Sequence, residues 1–228
     1  MQTVGKTASD RPGVAVFQRH AERYEAWFDT ARGWALFESE AQCLRRVSRR
    51  LPRPWLEVGV GTGRFARALD MDVGVDPAGR VLRYAAGRGV PALEALGEAL
   101  PFADGSFGAV FVIVTICFAE DAAGLVREAR RVLRKGGGLV LGVVPAESPW
   151  GRFYRAKAAA GHPFYEAARF FSPADLGRLA GKVALRRVAA ASTLVQDPRY
   201  ETLQVERSHD GVHPRAGFVA MDYGLAAR

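Results

Sequence analysis

Apolar positions in the first fifty residues recur at helical spacing: Phe17, Tyr24, Trp27 and Phe28, then Leu36, Phe37, Leu44 and Val47 beyond Gly33. The pattern predicts two helices over residues 14–50, interrupted at Gly33 and ended by Pro52 and Pro54. The period then changes. Trp55-Leu56-Glu57-Val58 reads as a short buried strand running into the glycines of 59–63, Arg64 to Leu69 as a helix, and Val73-Gly74-Val75 as a second strand stopped by Asp76-Pro77. A helix near 79–88 and a short strand near 91–96 come next. Val110 to Val114 is an uninterrupted apolar run, as expected of a central parallel strand covered on both faces. Leu125, Ala129, Val132 and Leu133 make one helical stripe, ended by Gly136-Gly137-Gly138, and Leu139 to Val144 is a fifth strand.

After Pro145 the pattern breaks. Residues 146–171 combine Arg, Ala and aromatics with no strand signal, so they are expected to form a cap over the sheet edge. Ser172 and Pro173 start a helix as N-cap and first helical residue. Leu185 to Leu194 and Gly217 to Met221 are the last two strands. The alternation predicts one α/β domain over residues 14–228, an open, doubly wound, mostly parallel seven-stranded sheet, behind a flexible tail of residues 1–13. Its ligand crevice belongs at the carboxyl ends of the first and fourth strands, where the topology switches.

Composition narrows the class. A chain of 228 residues can bury a full single-domain core. No apolar run approaches the ~18–20 residues of a membrane helix, and Met1 to Arg11 lacks the apolar stretch of a secretory signal, so a cytoplasmic protein without a membrane span is expected. Cys43 and Cys117 form neither a disulfide framework nor a metal pair. His209 and His213 are four apart, but Gly211 and Pro214 argue against the helix that would align them, so no metal is expected. The net charge is +8, carried by 28 Arg and 4 Lys. That bias fits arginine used as a general surface cation, and a nucleic-acid partner is open but not favoured. Nothing in the sequence specifies an oligomeric state.

The chemistry starts at Glu57-Val58-Gly59-Val60-Gly61-Thr62-Gly63. Glycines suit a turn with dihedrals closed to side chains and let a ligand approach bare backbone at a helix N-terminus. The dinucleotide spacing would need a third glycine at position 64, which is Arg64, and no Gly-Lys-Ser/Thr phosphate loop follows. Asp76, ending the second strand, can accept hydrogen bonds from two ribose hydroxyls or cap a helix before Pro77. Together with the loop Leu100-Pro101-Phe102, Asp104 to Phe107 and the turn Val132 to Gly137, these residues resemble the class I methyltransferases that use S-adenosylmethionine (SAM), in particular the type 11 group that includes quinone-biosynthesis enzymes.

The resemblance covers roughly residues 20–145 and implies a Rossmann-like fold with SAM as cofactor and S-adenosylhomocysteine as product. It implies that Gly59, Gly61 and Gly63 face the methionine and ribose, that Glu57 meets the methionine amino group directly or through water, that Asp76 beside Pro77 holds the ribose, and that Tyr24 closes over the cofactor. Thr115, after the fourth strand, joins the expected cofactor contacts. Two positions depart from the family. Leu96 stands where an aspartate usually meets adenine, shifting adenine recognition to the backbone near Gly97 and Glu98, and Gly108 replaces an aspartate after Ser106-Phe107.

Methyl transfer is an in-line displacement that needs alignment and water exclusion more than a protein nucleophile. If the acceptor needs a base, His162 in Gly161-His162-Pro163-Phe164-Tyr165 is the candidate, the alternative being a loop histidine stacked on its aromatic neighbours. Cys117 lacks the preceding proline of cytosine-directed enzymes and reads as a buried thiol. Phe153, Tyr154, Phe164, Tyr165, Phe170 and Phe171 can line an acceptor pocket or pack the cap. The expected function is methyl transfer to a small molecule. The alternatives are a nucleic-acid or protein methyltransferase, favoured by Arg45-Arg46, Arg49-Arg50 and Arg130-Arg131, and a module that binds SAM without turnover.

Overall fold

The uninterrupted apolar segments become the middle of the sheet. The computed structural model describes residues 8–225. Its strands are β1 (Trp55–Val58), β2 (Val73–Asp76), β3 (Ala92–Glu94), β4 (Phe107–Ile113), β5 (Leu133–Val143), β6 (Leu185–Thr193), β7 (His209–Asp210) and β8 (Phe218–Leu225). They lie in the order β3-β2-β1-β4-β5-β8-β6-β7. Strands β1 to β5 pair in parallel, and β8, β6 and β7 add antiparallel. The sheet thus has eight strands where the pattern gives seven. The extra one is two residues long, too short for period-2 alternation to register, and pairs only with the outer edge of β6.

Helices cover both faces. On one side α2 (Ala31–Ser48) sends Leu36, Phe37 and Leu44 against Trp55, Phe111 and Phe218. On the other, α5 (Ala122–Val132) and α8 (Pro173–Gly181) pack Leu125, Val126 and Leu176 on Leu56, Val110 and Val112. All seven residues of β4 are buried, as its unbroken apolar run requires. Short helices α3 (Arg64–Ala68) and α4 (Gly79–Gly87) follow β1 and β2. Ser172 caps α8 through a reciprocal box with Asp175.

Three local expectations change. The break between the first helices falls at 28–30, and Gly33 lies inside α2, where a Cβ would overlap the Trp27 carbonyl. That glycine permits a close approach and does not stop the helix. Strand β5 begins at Leu133, before the glycine triplet, because the chain bulges between the Phe107 and Ala109 pairings. The expected flexible tail of 1–13 does not hold for residues 8–13. Residues 1–7 lie outside the described residues, but Ala8–Asp10 form a 3-10 turn and α1 (Pro12–Trp27) starts with proline in its first turn. Burial of Val14 and Val16 holds it down, as do ion pairs from Arg11 to Glu98 and Glu120. The cap is helical, α6 (Pro149–Ala159) and α7 (Pro163–Glu166), and Trp150 is fully buried, donating through Nε1 to the Gln196 carbonyl at 2.9 Å. No helix among the described residues is long and apolar enough to cross a membrane.

Gly108 also finds a physical reason. A Cβ there would overlap the Pro52 carbonyl oxygen, so the aspartate common in the resembled family does not fit this chain. Gly108→Ala should therefore destabilise the fold by about 1–3 kcal/mol, the range of an overpacked core. Gly177→Ala in α8, with open space around the added methyl, should be neutral or stabilising by up to about 1 kcal/mol. Urea denaturation midpoints of the two variants check the pair.

Candidate active site

Strand β1 ends where the chain must turn sharply under a helix, and the glycines make the turn. Gly59, Gly61 and Gly63 have φ of 77°, 53° and 79°, in the left-handed region. Gly59 and Gly61 border an open cleft of about 890 Å³ between the carboxyl ends of β1 and β4. A side chain at Gly59 would also overlap Thr115, which donates to the Ile113 carbonyl at 2.9 Å. Gly63 does not face the cleft. It is buried, and an added Cβ would press on Ala85 and Val90 at 3.0 and 3.3 Å, so its role is close packing of α3 on α4. The resemblance assigned it to the ligand because the three glycines share a spacing, whereas the turn rotates the third one inward.

The remaining expected contacts converge. Tyr24, Glu57, Asp76, Pro77, Gly97, Glu98 and Thr115 all line the cleft. Asp76 Oδ2 accepts from the Gly61 amide at 2.9 Å and its Oδ1 from the Ala78 amide at 2.8 Å, which fixes the carboxylate at the cleft wall. The residue that caps α4 is Ala78, not Asp76. Burial pushes the Asp76 carboxyl up to about 6, against the hydrogen bonds from Ala78 and Gly61 that pull it down. Glu57 is 2% exposed and its Oε2 is buried with no protein partner. Burial, and then the charge of Asp76, raise it well above the usual carboxylate range. An unsatisfied buried acceptor at a cleft wall is suited to a ligand donor, above all a cationic one. Leu96 lines the same wall, and Glu98 is held at 3.0 Å by Arg11.

Helix α1 forms the roof. Glu25 binds Arg64, the residue after Gly63, and Arg88, while Arg64 also reaches Asp29 at 2.7 Å. Burial alone would raise the Glu25 carboxyl, and its hydrogen bonds to Arg64, Thr62 and Arg88 hold it below the ordinary range. This network ties the roof to the glycine turn and keeps Tyr24 over Gly61, whose Cβ would lie 3.6 Å from the ring. Neither Arg64 nor Glu25 stands out in the sequence, since charged residues on helices are ordinarily solvated.

Beside the cleft opens a second chamber under the cap. Tyr24, Phe28, Ile113, Val114 and Phe118 border both spaces. Val114 has φ 48°, a strained value for a β-branched residue, held by its amide bonding the Gly142 carbonyl at 2.8 Å. The cap supplies Tyr154, Phe164 and Tyr165, with Tyr154 and Tyr165 stacked at 4.4 Å. His162 lines the chamber and also stacks on Tyr165 at 4.4 Å. Burial, then Arg23 and Lys157, lower its pKa, and Nδ1 is buried without a partner. Phe153 packs on Trp150 and Tyr154, outside the chamber's lining. Phe170 and Phe171 border a small hollow with Cys117, whose thiol burial pushes up to about 12. An inert thiol follows. The chamber also holds Glu40, which sequence reading passed over. The signal was present: Glu40 interrupts the apolar stripe Leu36, Phe37, Leu44, Val47 of α2.

Three arginines of the three pairs, Arg45, Arg46 and Arg131, are engaged within the chain. Arg46 meets Asp210 at 2.5 Å, Arg45 meets Glu38 at 3.3 Å, and Arg131 meets Glu128 and Asp104 at 2.7 and 2.8 Å. His213 Nδ1 accepts from the Arg215 amide at 3.2 Å, and no group of three metal-ligating side chains comes together among the described residues.

Comparison with known proteins agrees with this geometry. Residues 56–141 match the family model described as a methyltransferase domain. An uncharacterized protein of Mycobacterium tuberculosis is 41% identical over 92% of this chain and 74% of its own length. A solved Thermotoga maritima structure, described as a SAM-dependent methyltransferase and possible histamine N-methyltransferase, is 35% identical. It superimposes with a TM-score of 0.83 over 94% of this chain and 100% of that one. At 16% identity and TM-score 0.58, over 80% of this chain and 76% of that one, the geranyl diphosphate C-methyltransferase of Streptomyces coelicolor shares the fold, in a complex with S-adenosylhomocysteine. With the glycine turn, the buried Asp76 carboxylate beside it and the Rossmann-like sheet in place, the chain belongs to the class I SAM-dependent methyltransferases, and SAM is its cofactor.

Proposed function

We propose that the chain methylates a small molecule seated in the cap chamber, with SAM in the glycine cleft. The observation that carries this reading is the adjacency of the two spaces, which share a wall of Tyr24, Phe28, Ile113, Val114 and Phe118. SAM, when bound, supplies an electrophilic methyl group on a sulfonium. The chain's residues then have separable roles. Glu57 receives the ligand's ammonium on its free Oε2, which restores the charged form that burial disfavours. Asp76 accepts from the ribose hydroxyls, while Gly59 and Gly61 let the ligand lie on backbone. Pro77, Leu96, Gly97 and Glu98 enclose the adenine end. Thr115 lines the cofactor cleft, Tyr24 borders the junction, and the aromatic cap excludes water and orients the acceptor. His162 is the group able to take a proton within the chamber.

The engagement of Arg45, Arg46 and Arg131 with acids supports a small acceptor over a nucleic acid, because paired cations have less to gain from phosphates. The Thermotoga relative's description names a compact acceptor, in the same direction.

SAM and S-adenosylhomocysteine should raise the melting temperature and NAD should not, as thermal-shift titration would show; stabilisation by NAD alone would sink the reading. Asp76→Ala loses a hydrogen bond to a charged group, about 1.5–3 kcal/mol, so calorimetry should give a SAM affinity reduced about 10- to 150-fold. The ionised form of Asp76 is the one that accepts from both hydroxyls, so wild-type affinity should fall as pH drops through about 6. In Asp76→Ala that dependence should shrink to the part that Glu57 carries through its bond to the ammonium. Replacing Phe164 and Tyr165 by Ala should abolish acceptor turnover while SAM still binds. RNA-stimulated turnover that vanishes with added salt and ignores those replacements would favour the nucleic-acid alternative.

A further inference from the structure

The chamber that the proposed function gives to the acceptor contains one group that function leaves unexplained. Glu40 lies one turn beyond Leu36 on the face of α2 turned to the core, where Ala35, Leu36, Phe37, Ala41 and Leu44 are all buried. A carboxylate on such a stripe is costly unless something pairs it. Among the described residues no hydrogen bond or ion pair reaches Glu40. The titratable groups that feel its charge are Tyr24, Cys43, Tyr154 and Tyr165, none of them a cation. Burial alone pushes its carboxyl up to about 8.

The cations nearby are occupied or exposed. Arg32 donates to the carbonyls of Pro198 and Tyr200 and lies over the Trp150 ring. Arg23 and Lys157 also line the chamber but are exposed; their charges act on His162, and the Lys157 ammonium sits 4.7 Å from the Phe153 ring centroid. Around Glu40 the chamber is walled by the rings of Tyr24, Phe28, Tyr154 and Tyr165. Aromatic faces attract an ammonium, and a half-buried carboxylate completes its partners.

We propose that the acceptor is a small organic amine that enters as its ammonium ion, with Glu40 as its counter-ion and the surrounding rings as its walls. The ammonium passes a proton to Glu40 before its nitrogen, with the lone pair thus freed, takes the methyl group and the cofactor leaves as S-adenosylhomocysteine. The inference rests on the chamber being the acceptor site. A neutral phenol or thiol can offer Glu40 a hydrogen bond but no opposite charge, and a carboxylate would be repelled by its ionised form. Glu40 is thus a specificity-determining residue. Because it is neutral in the empty chamber below about pH 8, ammonium binding must release a proton, so affinity rises as pH rises toward 8. Burial moves Tyr24, Cys43, Tyr154 and Tyr165 upward, away from this window.

The test uses the full chain saturated with S-adenosylhomocysteine and two probes of one shape, 2-phenylethylamine and the neutral 2-phenylethanol, with binding read by calorimetry. Wild type should bind the amine about 10- to 100-fold more tightly, as for a contact to a charged group. Glu40→Gln should bring the two within about three-fold and remove the rise with pH, and Glu40→Asp should keep part of the preference. Unchanged S-adenosylhomocysteine affinity shows that each variant is folded. Equal binding of the probes to wild type, binding of neither, or a preference that survives Glu40→Gln overturns the inference. Those results leave the methyltransferase chamber standing if the Phe164 and Tyr165 replacements abolish turnover of another acceptor. Failure of wild type to bind S-adenosylhomocysteine would instead remove the reading beneath it.

Discussion

At the junction of β1 and β4 the sheet's connections run outward in opposite directions, so the loops that leave these strands part instead of packing together. Everything functional depends on that parting. It lets the glycine turn after β1 and the Val114-Thr115 turn after β4 face one another across a cleft. The register Val58 with Val112 brings both turns to the same level, and Gly59 without a side chain lets Thr115 close against it.

A site built at a parting of loops has few atoms of its own to satisfy buried charge, and the chain accepts the cost. Glu57, Asp76 and Glu40 are all raised by burial, and Glu57 and Glu40 lack a hydrogen-bond partner for at least one carboxylate oxygen among the described residues. Such groups cluster where a ligand is meant to complete them. Glu25 shows a different use of charge, for its Oε1 is held by Arg64 and Arg88 and ties the roof to the glycine turn. Rigidity at the roof and incompleteness in the floor are complementary, since an unpaired carboxylate selects a ligand only if its surroundings cannot collapse onto it.

Much of this was legible in the sequence because strong periodicity and chain-local motifs report on backbone. The apolar run from Val110 folds as a strand up to Ile113, with Val114 turning out of it, and the Ser172-Pro173 cap and the 59–63 glycines fold as their spacing indicates. The errors lie where a residue's meaning is set by a distant neighbour. Gly33 looks like a helix breaker until the Trp27 carbonyl is seen against it, and Gly108 looks like a lost aspartate until Pro52 occupies its place. Gly63 shares its loop's spacing yet packs on Ala85. Arg11 reads as tail, but tertiary ion pairs to Glu98 and Glu120 order it. Glu40 was visible as a charge in an apolar stripe, but only the cap, more than a hundred residues later in the chain, shows that the stripe borders a chamber.

The central claim is that the two spaces form one reaction path, with the cofactor's sulfur at the shared wall. A crystal structure of the chain with S-adenosylhomocysteine tests it most directly. The account predicts ribose hydroxyls on Asp76, the amino group on Glu57, and the sulfur beside Tyr24 and Val114, open toward Tyr154, Tyr165 and Glu40. A ligand bound with its sulfur turned away from that chamber, or with Asp76 still bonded only to the Gly61 and Ala78 amides, would contradict it.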